Sequence, residues 1–257
     1  MFKAKKSYSQ NWLVDHSVVK QMIQAADLQA GERVLEIGPG KGMLTQALVE
    51  AGAKVLAVEA DRDLIAPLQK RFGDQIKLVR KDILSVDLSG LGLKDGKYKL
   101  IANLPYSITS AILEKFLAQA PKPSRLVVMV QKEVADRIVA EPPKMGVLSV
   151  ACQIYAQGKK IVKVPAKSFR PVPKVDSTVV RLDLVKTKKG VDPEAVIALA
   201  KVGFAARRKQ LQRNLAAAQL GDSEAIKQVL QNIGLDKQAR AENLTVDNWI
   251  ELHQKLK

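Results

Sequence analysis

The stretch Val34-Leu35-Glu36-Ile37-Gly38-Pro39-Gly40-Lys41-Gly42-Met43-Leu44 decides the fold. It starts as a short, mostly apolar run, passes through a glycine turn, and continues with Met43, Leu44, Ala47, Leu48 and Val49 at helical spacing. Strand, turn and helix in that order form the opening unit of a doubly wound sheet, whose ligands gather at the turn. The unit then repeats. Residues 54–58, 76–79, 98–102 and 126–130 read as strands, and 63–72 and 110–120 as helices. Continuous apolar strands alternating with helices predict a mostly parallel sheet covered on both faces. Upstream, Val18, Val19, Met22 and Ile23 predict an amphipathic helix over 15–26. After Gly146 the pattern becomes β-like in 148–155 and 177–184, joined by a loop with Pro165, Pro171 and Pro173, which predicts an antiparallel closing pair. From Pro193 onward the signals are only helical, over 195–204, 210–219, 223–233 and 245–256. The expected fold class is therefore α/β and Rossmann-like, residues 1–187, followed by a small all-helical C-terminal domain, residues 188–257.

Composition narrows the class of partner. The 257 residues, 47% of them hydrophobic, suffice for a large core, and 42 Lys+Arg against 26 Asp+Glu leave a net charge of +16. Such a surface seeks polyanions. The excess sits in the front part: up to Gly190 there are 32 basic and 18 acidic residues, and after it 10 and 8. Residues 151–190 alone hold 10 basic and 2 acidic residues, and a second cluster gathers Lys201, Arg207, Arg208, Lys209 and Arg213. With Lys3, Lys5 and Lys6 at the start, these clusters favour nucleic acid over a merely solvated face. Aromatics are only 4%, so base stacking has to rely on a few placed rings. The lone Cys152 leaves neither a disulfide framework nor a Cys-rich zinc site. No apolar stretch approaches the length of a membrane span, and the expectation is a soluble, cytoplasmic protein.

The glycine turn lets the backbone approach a ligand closely, and Glu59 lies 21 residues beyond Gly38 at the end of the second strand, where an acid suits a ribose diol. That much indicates a nucleotide without saying which. The spacing is Gly-x-Gly-x-Gly, whereas a dinucleotide cradle prefers Gly-x-Gly-x-x-Gly. Asp82, just after the third strand, offers an acceptor to an adenine amine. Glu36, Gly38, Gly40, Glu59 and Asp82 together give the binding pattern of S-adenosylmethionine (SAM) enzymes, although Glu36 also suits an acid that only orders the turn through backbone N–H groups. After the fourth strand comes Asn103-Leu104-Pro105-Tyr106. An exocyclic aromatic amine is a poor nucleophile because its lone pair is delocalised, so its hydrogens must be held in acceptors that aim the lone pair at the methyl sulfonium. The Asn103 side-chain carbonyl and the Leu104 backbone carbonyl, exposed by rigid Pro105, supply two acceptors, and Tyr106 supplies a stacking face. Positioning and electrostatics, not a strong base, should dominate.

Five ordered motifs carry a family resemblance: Ser9-Gln10-Asn11-Trp12-Leu13-Val14-Asp15, the glycine turn, Asn103-Leu104-Pro105-Tyr106, Gln131-Lys132-Glu133-Val134-Ala135-Asp136-Arg137, and 169–177 from Phe169 to Ser177. They run nearly the whole length, and the chain resembles the rRNA adenine N6-dimethyltransferases of the KsgA/RsmA type. The resemblance implies a SAM-dependent methyltransferase that dimethylates two neighbouring adenosines in a hairpin near the 3′ end of small-subunit rRNA during ribosome assembly. It implies cofactor contacts at Asn11, Leu13, Gly38, Glu59, Asp82 and Asn103. It places Asn103, Leu104 and Tyr106 at the target amine, with Phe169 as a second stacking ring. It also implies that the C-terminal domain, with Arg207, Arg208 and Lys209, helps engage rRNA. The expected partner is small-subunit rRNA within an immature particle, with the chain acting as a monomer and without metal or membrane. Ser9, Trp12 and Ser107 depart from the usual Gly, Phe and Asn or His; Trp12 reads best as a hydrophobic anchor for the first helix, and Lys41 as a solvated side chain. The rival with the same chemistry is an Erm-type large-subunit rRNA methyltransferase, disfavoured by the stretch from Gln131 to Ala135 and the extended helical tail. A non-catalytic RNA-binding assembly factor has no need of a SAM pocket, and a nucleotide-dependent oxidoreductase is disfavoured by the third glycine's position.

Overall fold

A computed structural model describes residues 10–256, so Ser9 and the lysines Lys3, Lys5 and Lys6 lie outside the described residues. The chain opens with β1 (Trp12–Leu13), α1 (His16–Ala26), β2 (Arg33–Ile37), α2 (Met43–Glu50), β3 (Lys54–Glu59), α3 (Arg62–Phe72) and β4 (Ile76–Arg80). It continues with β5 (Lys99–Asn103), α4 (Thr109–Ala118), β6 (Arg125–Gln131), α5 (Lys132–Ile138), α6 (Val147–Gln153), β7 (Ala156–Val164), β8 (Phe169–Arg170) and β9 (Ser177–Leu184). Helices α7 (Pro193–Gly203), α8 (Leu211–Ala217), α9 (Ser223–Asn232) and α10 (Val246–Lys255) complete it.

The main sheet has the order β4-β3-β2-β5-β6-β9-β7. Strands β2 to β6 run parallel, and β9 returns antiparallel to β6, from Arg125 opposite Asp183 to Gln131 opposite Ser177. The parallel strands are apolar without alternation because both faces are covered: Val34, Leu35, Leu100, Ile101, Val127 and Val128 are completely buried. Helix α1 lays Val18, Val19, Met22, Ala25 and Ala26 into this core, and the Asp15 carboxylate caps it by accepting from the Ser17 N–H. Leu44 and Leu48 of α2 and Leu64, Leu68 and Phe72 of α3 join the same cluster. A separate two-stranded ribbon pairs β1 with β8, Leu13 opposite Phe169.

One expected strand is a helix. Residues 148–155 read as β-like, yet 147–153 form α6 and the strand that enters the sheet is the following β7. A cap decides it: the Gly146 N–H donates to Ser149 Oγ at 3.0 Å, and Ser149 Oγ donates to the Arg137 carbonyl at 2.7 Å, which starts a helix despite the β-branched residues.

The chain forms two compact units, one of residues up to 135 with 157–184, the other of 136–156 with 185–257. A contiguous division at 187 and 188 differs from this, because α6 packs against α7 and draws the segment 136–156 into the helical unit. Within that unit Trp249 is fully buried and lies flush against Gly203, where a Cβ would collide with the indole. Asp192, Asp222 and Thr245 cap α7, α9 and α10 through side-chain oxygens.

Candidate active site

Strands β2 and β5 are neighbours whose onward connections run to opposite sides of the sheet, so a crevice opens between their C-terminal ends. A cleft of about 260 Å³ lies there. It is walled by the glycine turn, the ends of β3 and β5, and the loop after β4.

The three glycines of the turn do different things. Gly38, Gly40 and Gly42 have φ of +66°, +58° and +79°, where a side chain is strained. Beyond Gly38 an added Cβ would meet nothing within 4 Å, which is the open space a close backbone approach needs. At Gly42 it would lie 2.6 Å from Phe72 Cε2, so this third glycine seats α2 against α3. That is the close-packing task a dinucleotide motif gives to a glycine one residue later.

Glu59 ends β3 and is buried. Its Oε2 accepts from the Gly40 N–H at 3.2 Å and its Oε1 from the Asp61 N–H at 2.8 Å, and burial raises its pKa. A carboxylate has about four lone-pair sites, so two backbone donors orient it and leave acceptor capacity for a diol. Asp61 in turn accepts from Gln10 Nε2 at 2.8 Å, tying the N-terminal segment to the site. Asp82 lies on the exposed rim, its Oδ1 held by the Leu84 N–H at 2.9 Å.

Asn103 stands at the end of β5, and its Nδ2 donates to the Asn11 carbonyl at 3.1 Å. That bond fixes the amide so that Oδ1 remains an acceptor. Leu104 is anchored by its N–H on the Met129 carbonyl at 3.1 Å, and Pro105, which has no N–H, precedes a short 3-10 turn over 106–108. Tyr106 is half-buried, with its hydroxyl 2.8 Å from Ser177 Oγ, and burial raises its pKa. The cleft thus brings Asn11, Gly38, Gly40, Glu59, Asp82, Asn103, Leu104, Pro105 and Tyr106 together as the sequence predicts.

Other expected residues stand elsewhere. Leu13 and Phe169 are core residues, 8% and 0% exposed: the β1–β8 pairing turns both side chains under the ribbon, and Phe169 presents no face for stacking. Glu36 does not line the cleft. It is buried in β2, its Oε2 has no hydrogen-bond partner among the described residues, and burial raises its pKa to about 8. Trp12, expected to anchor α1, lines the cleft wall, its Cδ1 3.0 Å from where a Gly40 Cβ would stand. Lys41, expected to be merely solvated, holds its ammonium 4.0 Å from the centroid of the Trp12 ring. Arg207, Arg208 and Lys209 lie in the helical unit, exposed, on the turn between α7 and α8. Sequence reading gave no separate role to Gln10 or Ser177; both sit inside recognised motifs, but only the fold shows what they hold.

The fit to a cofactor is specific. Open space at Gly38, an oriented acid at Glu59, a rim acid at Asp82 and the apolar side chains of Val58, Leu64 and Ile83 suit an adenosine-bearing molecule such as SAM. Among the described residues no group of three or more His, Cys, Asp or Glu is placed to hold a metal, and no helix is long and apolar enough to cross a membrane.

The family of ribosomal RNA adenine dimethylases matches residues 1–257. The ribosomal RNA small subunit methyltransferase A of Thermosynechococcus vestitus is 41% identical over 266 residues, covering 100% of this chain and 98% of its own. Its namesake in Dehalococcoides mccartyi is 40% identical over 255 residues, 97% of this chain and 87% of its own. Among solved structures, a dimethyladenosine transferase of Plasmodium falciparum superposes with a TM-score of 0.80 at 24% identity, over 93% of this chain and 95% of its own. The 23S rRNA methyltransferase ErmE superposes with a TM-score of 0.78 at 25% identity, over 96% of this chain and 99% of its own. Near-equal scores for the two mean that the fold alone does not choose between substrates.

Proposed function

The chain belongs to the ribosomal RNA adenine dimethylase family, and from that premise we propose how its own residues carry out the reaction. It is a SAM-dependent enzyme that dimethylates adjacent adenosines of small-subunit rRNA, as the relatives at about 40% identity over nearly the whole chain indicate. SAM, when bound, supplies an electrophilic methyl group on a sulfonium.

The protein's part is to bind and aim. Glu59 accepts the ribose hydroxyls, Asp82 accepts the adenine amine, and the backbone at Gly38 lets the ligand lie against the turn. Asn103 Oδ1 and the Leu104 carbonyl accept the two hydrogens of the target amine and turn its lone pair toward the methyl group, while Tyr106 stacks on the base. The alkylated amine is acidic enough to lose its proton without a strong base, so the rate comes from alignment. Arg207, Arg208 and Lys209 grip phosphates. The acceptor is the 3′-terminal hairpin in an immature cytoplasmic particle, and the protein works as a monomer; the +16 charge supports a polyanionic acceptor.

The observation that carries this reading is the Asn103 amide, pinned by Asn11 so that its oxygen remains an acceptor beside Glu59 and Asp82. Asn103→Ala is expected to keep its RNA affinity and lose on the order of 100-fold or more in methyl transfer under single-turnover conditions. Unchanged transfer would remove Asn103 from the target amine.

A further inference from the structure

The edge of the sheet opposite the cleft carries a feature that the reaction leaves unused. The parallel strands begin on cations: Arg33 opens β2, Lys54 opens β3, Lys77 is second in β4, Lys99 opens β5 and Arg125 opens β6. Register lines several of them up. Arg33 stands directly opposite Lys54, and Lys77 stands opposite Leu56, two residues beyond Lys54 and so on the same face. Two adjoining hollows, about 520 and 620 Å³, run along this edge and share Arg33. Lys94 and Lys97 line the first, Lys54 and Lys77 the second.

Charge accounting separates two kinds of cation here. Lys99 is neutralised by Glu32 at 2.6 Å, and Arg125 by Asp183 at 2.5 Å. Lys54, Lys77, Lys94 and Lys97 are exposed, and none is in an ion pair among the described residues. The nearby acids are Glu32, already engaged by Lys99 and the Gln29 N–H, Asp74, and Asp95, which accepts from the Lys122 N–H. Like charges directly opposite in a sheet, as at Arg33 and Lys54, cost stability. An anion laid along the trough would offset that cost. The lining has no exposed aromatic to take a base: Tyr98 is 2% exposed and its hydroxyl donates to the Pro121 carbonyl. The chemistry therefore fits a row of phosphates rather than bases.

We propose that this trough is a second RNA-binding surface, which holds the phosphodiester backbone of rRNA outside the target hairpin. The proposal rests on the rRNA reading above and concerns a site distinct from the catalytic cleft, at the other end of the same strands. It gives the enzyme a way to favour folded, extended rRNA over an isolated hairpin, since only a longer RNA reaches both edges.

The test compares the wild-type protein with a variant carrying Lys54→Gln, Lys77→Gln, Lys94→Gln and Lys97→Gln. The control carries the same charge change at Lys20, Lys144, Lys237 and Lys255, all exposed and none of them lining either hollow. Binding to a long small-subunit rRNA fragment and to a short hairpin bearing the target adenosines is measured across a salt series. Each lost phosphate contact lowers the slope of log K against log salt by about 0.7–0.9, so the trough variant should lose about 3 in slope on the long RNA. Its affinity there should fall at least tenfold, while methyl transfer to the hairpin and SAM affinity stay unchanged and Tm does not fall. An unchanged slope, or an equal loss in the control, overturns the trough. Equal losses on the hairpin and the long RNA also overturn it, because the site would then belong to the hairpin. Failure of the wild type to methylate the hairpin bears on the enzymatic reading alone, since the trough is read by binding.

Discussion

The two edges of the parallel sheet are built from the same strands and carry opposite chemistry. At the C-terminal edge the polar groups are few and each is committed: Glu59 to two backbone N–H groups, Asn103 to the Asn11 carbonyl, Tyr106 to Ser177. At the N-terminal edge Lys54, Lys77, Lys94 and Lys97 stand exposed and outside any ion pair among the described residues. Pre-oriented, partly buried acceptors select one small ligand and one reacting amine, because each group has a single geometry. Solvated cations on long stems select a charge density and tolerate many sequences. The difference assigns chemistry to one edge and grip to the other.

Glycines sharpen that contrast most. Gly31 near the N-terminal edge and Gly42 in the catalytic turn have nearly the same φ, +82° and +79°, but a Cβ on Gly31 meets nothing within 4 Å while one on Gly42 meets the Phe72 ring at 2.6 Å. Gly31→Ala should cost about 1–2 kcal/mol of backbone strain. Gly42→Ala adds about 1–3 kcal/mol of overpacking and should also weaken SAM binding, since the turn moves with α2. Denaturant unfolding checks it: equal losses at the two glycines would mean the catalytic turn is no more tightly packed than the far edge.

Tyr106→Ala removes the stacking face and should reduce kcat/KM for RNA by about 1–3 kcal/mol, whereas Tyr106→Phe, which loses only the Ser177 hydrogen bond, should cost less than about 1.5 kcal/mol. Steady-state kinetics at saturating SAM distinguish the two, and equal effects would shift the role from the ring to the hydroxyl. Phe169, by contrast, is wholly buried. Its truncation should lower Tm without a selective loss of RNA affinity.

A pH dependence is a separate expectation. Burial pushes the Glu36 carboxyl from an ordinary 4.5 up to about 8. Between those values the folded protein keeps a proton that the unfolded chain releases, so this group's contribution to stability falls as pH rises through the window. Glu36→Gln cannot lose that proton. Its Tm should improve relative to the wild type between pH 5 and pH 8, and parallel Tm profiles would show that Glu36 is ionised in the fold.

How far the sequence carries the reader depends on which forces act locally. The strand-turn-helix at 34–49, the acids at 59 and 82 and the acceptors at 103–104 are legible because chain order and spacing place them at strand ends. Tyr106 and Phe169 look alike in sequence, each an aromatic beside a proline-containing loop; only the pairing of Leu13 with Phe169 sends one into the core. Trp12 could not be placed on the glycine turn without knowing that Gly40 leaves room for an indole edge. Residues 147–153 defeat β-propensity through a cap that depends on the Arg137 carbonyl. The trough is invisible in the chain because Arg33, Lys54 and Lys77 are more than 20 residues apart and meet only through strand register.

The most direct test of the enzyme's specificity maps the product. Undermethylated small-subunit and large-subunit RNAs are incubated together with the wild-type protein and labelled SAM, then digested and sequenced by mass. The expected product is N6,N6-dimethyladenosine at two adjacent positions of the small-subunit RNA; label confined to the large-subunit RNA would contradict that assignment.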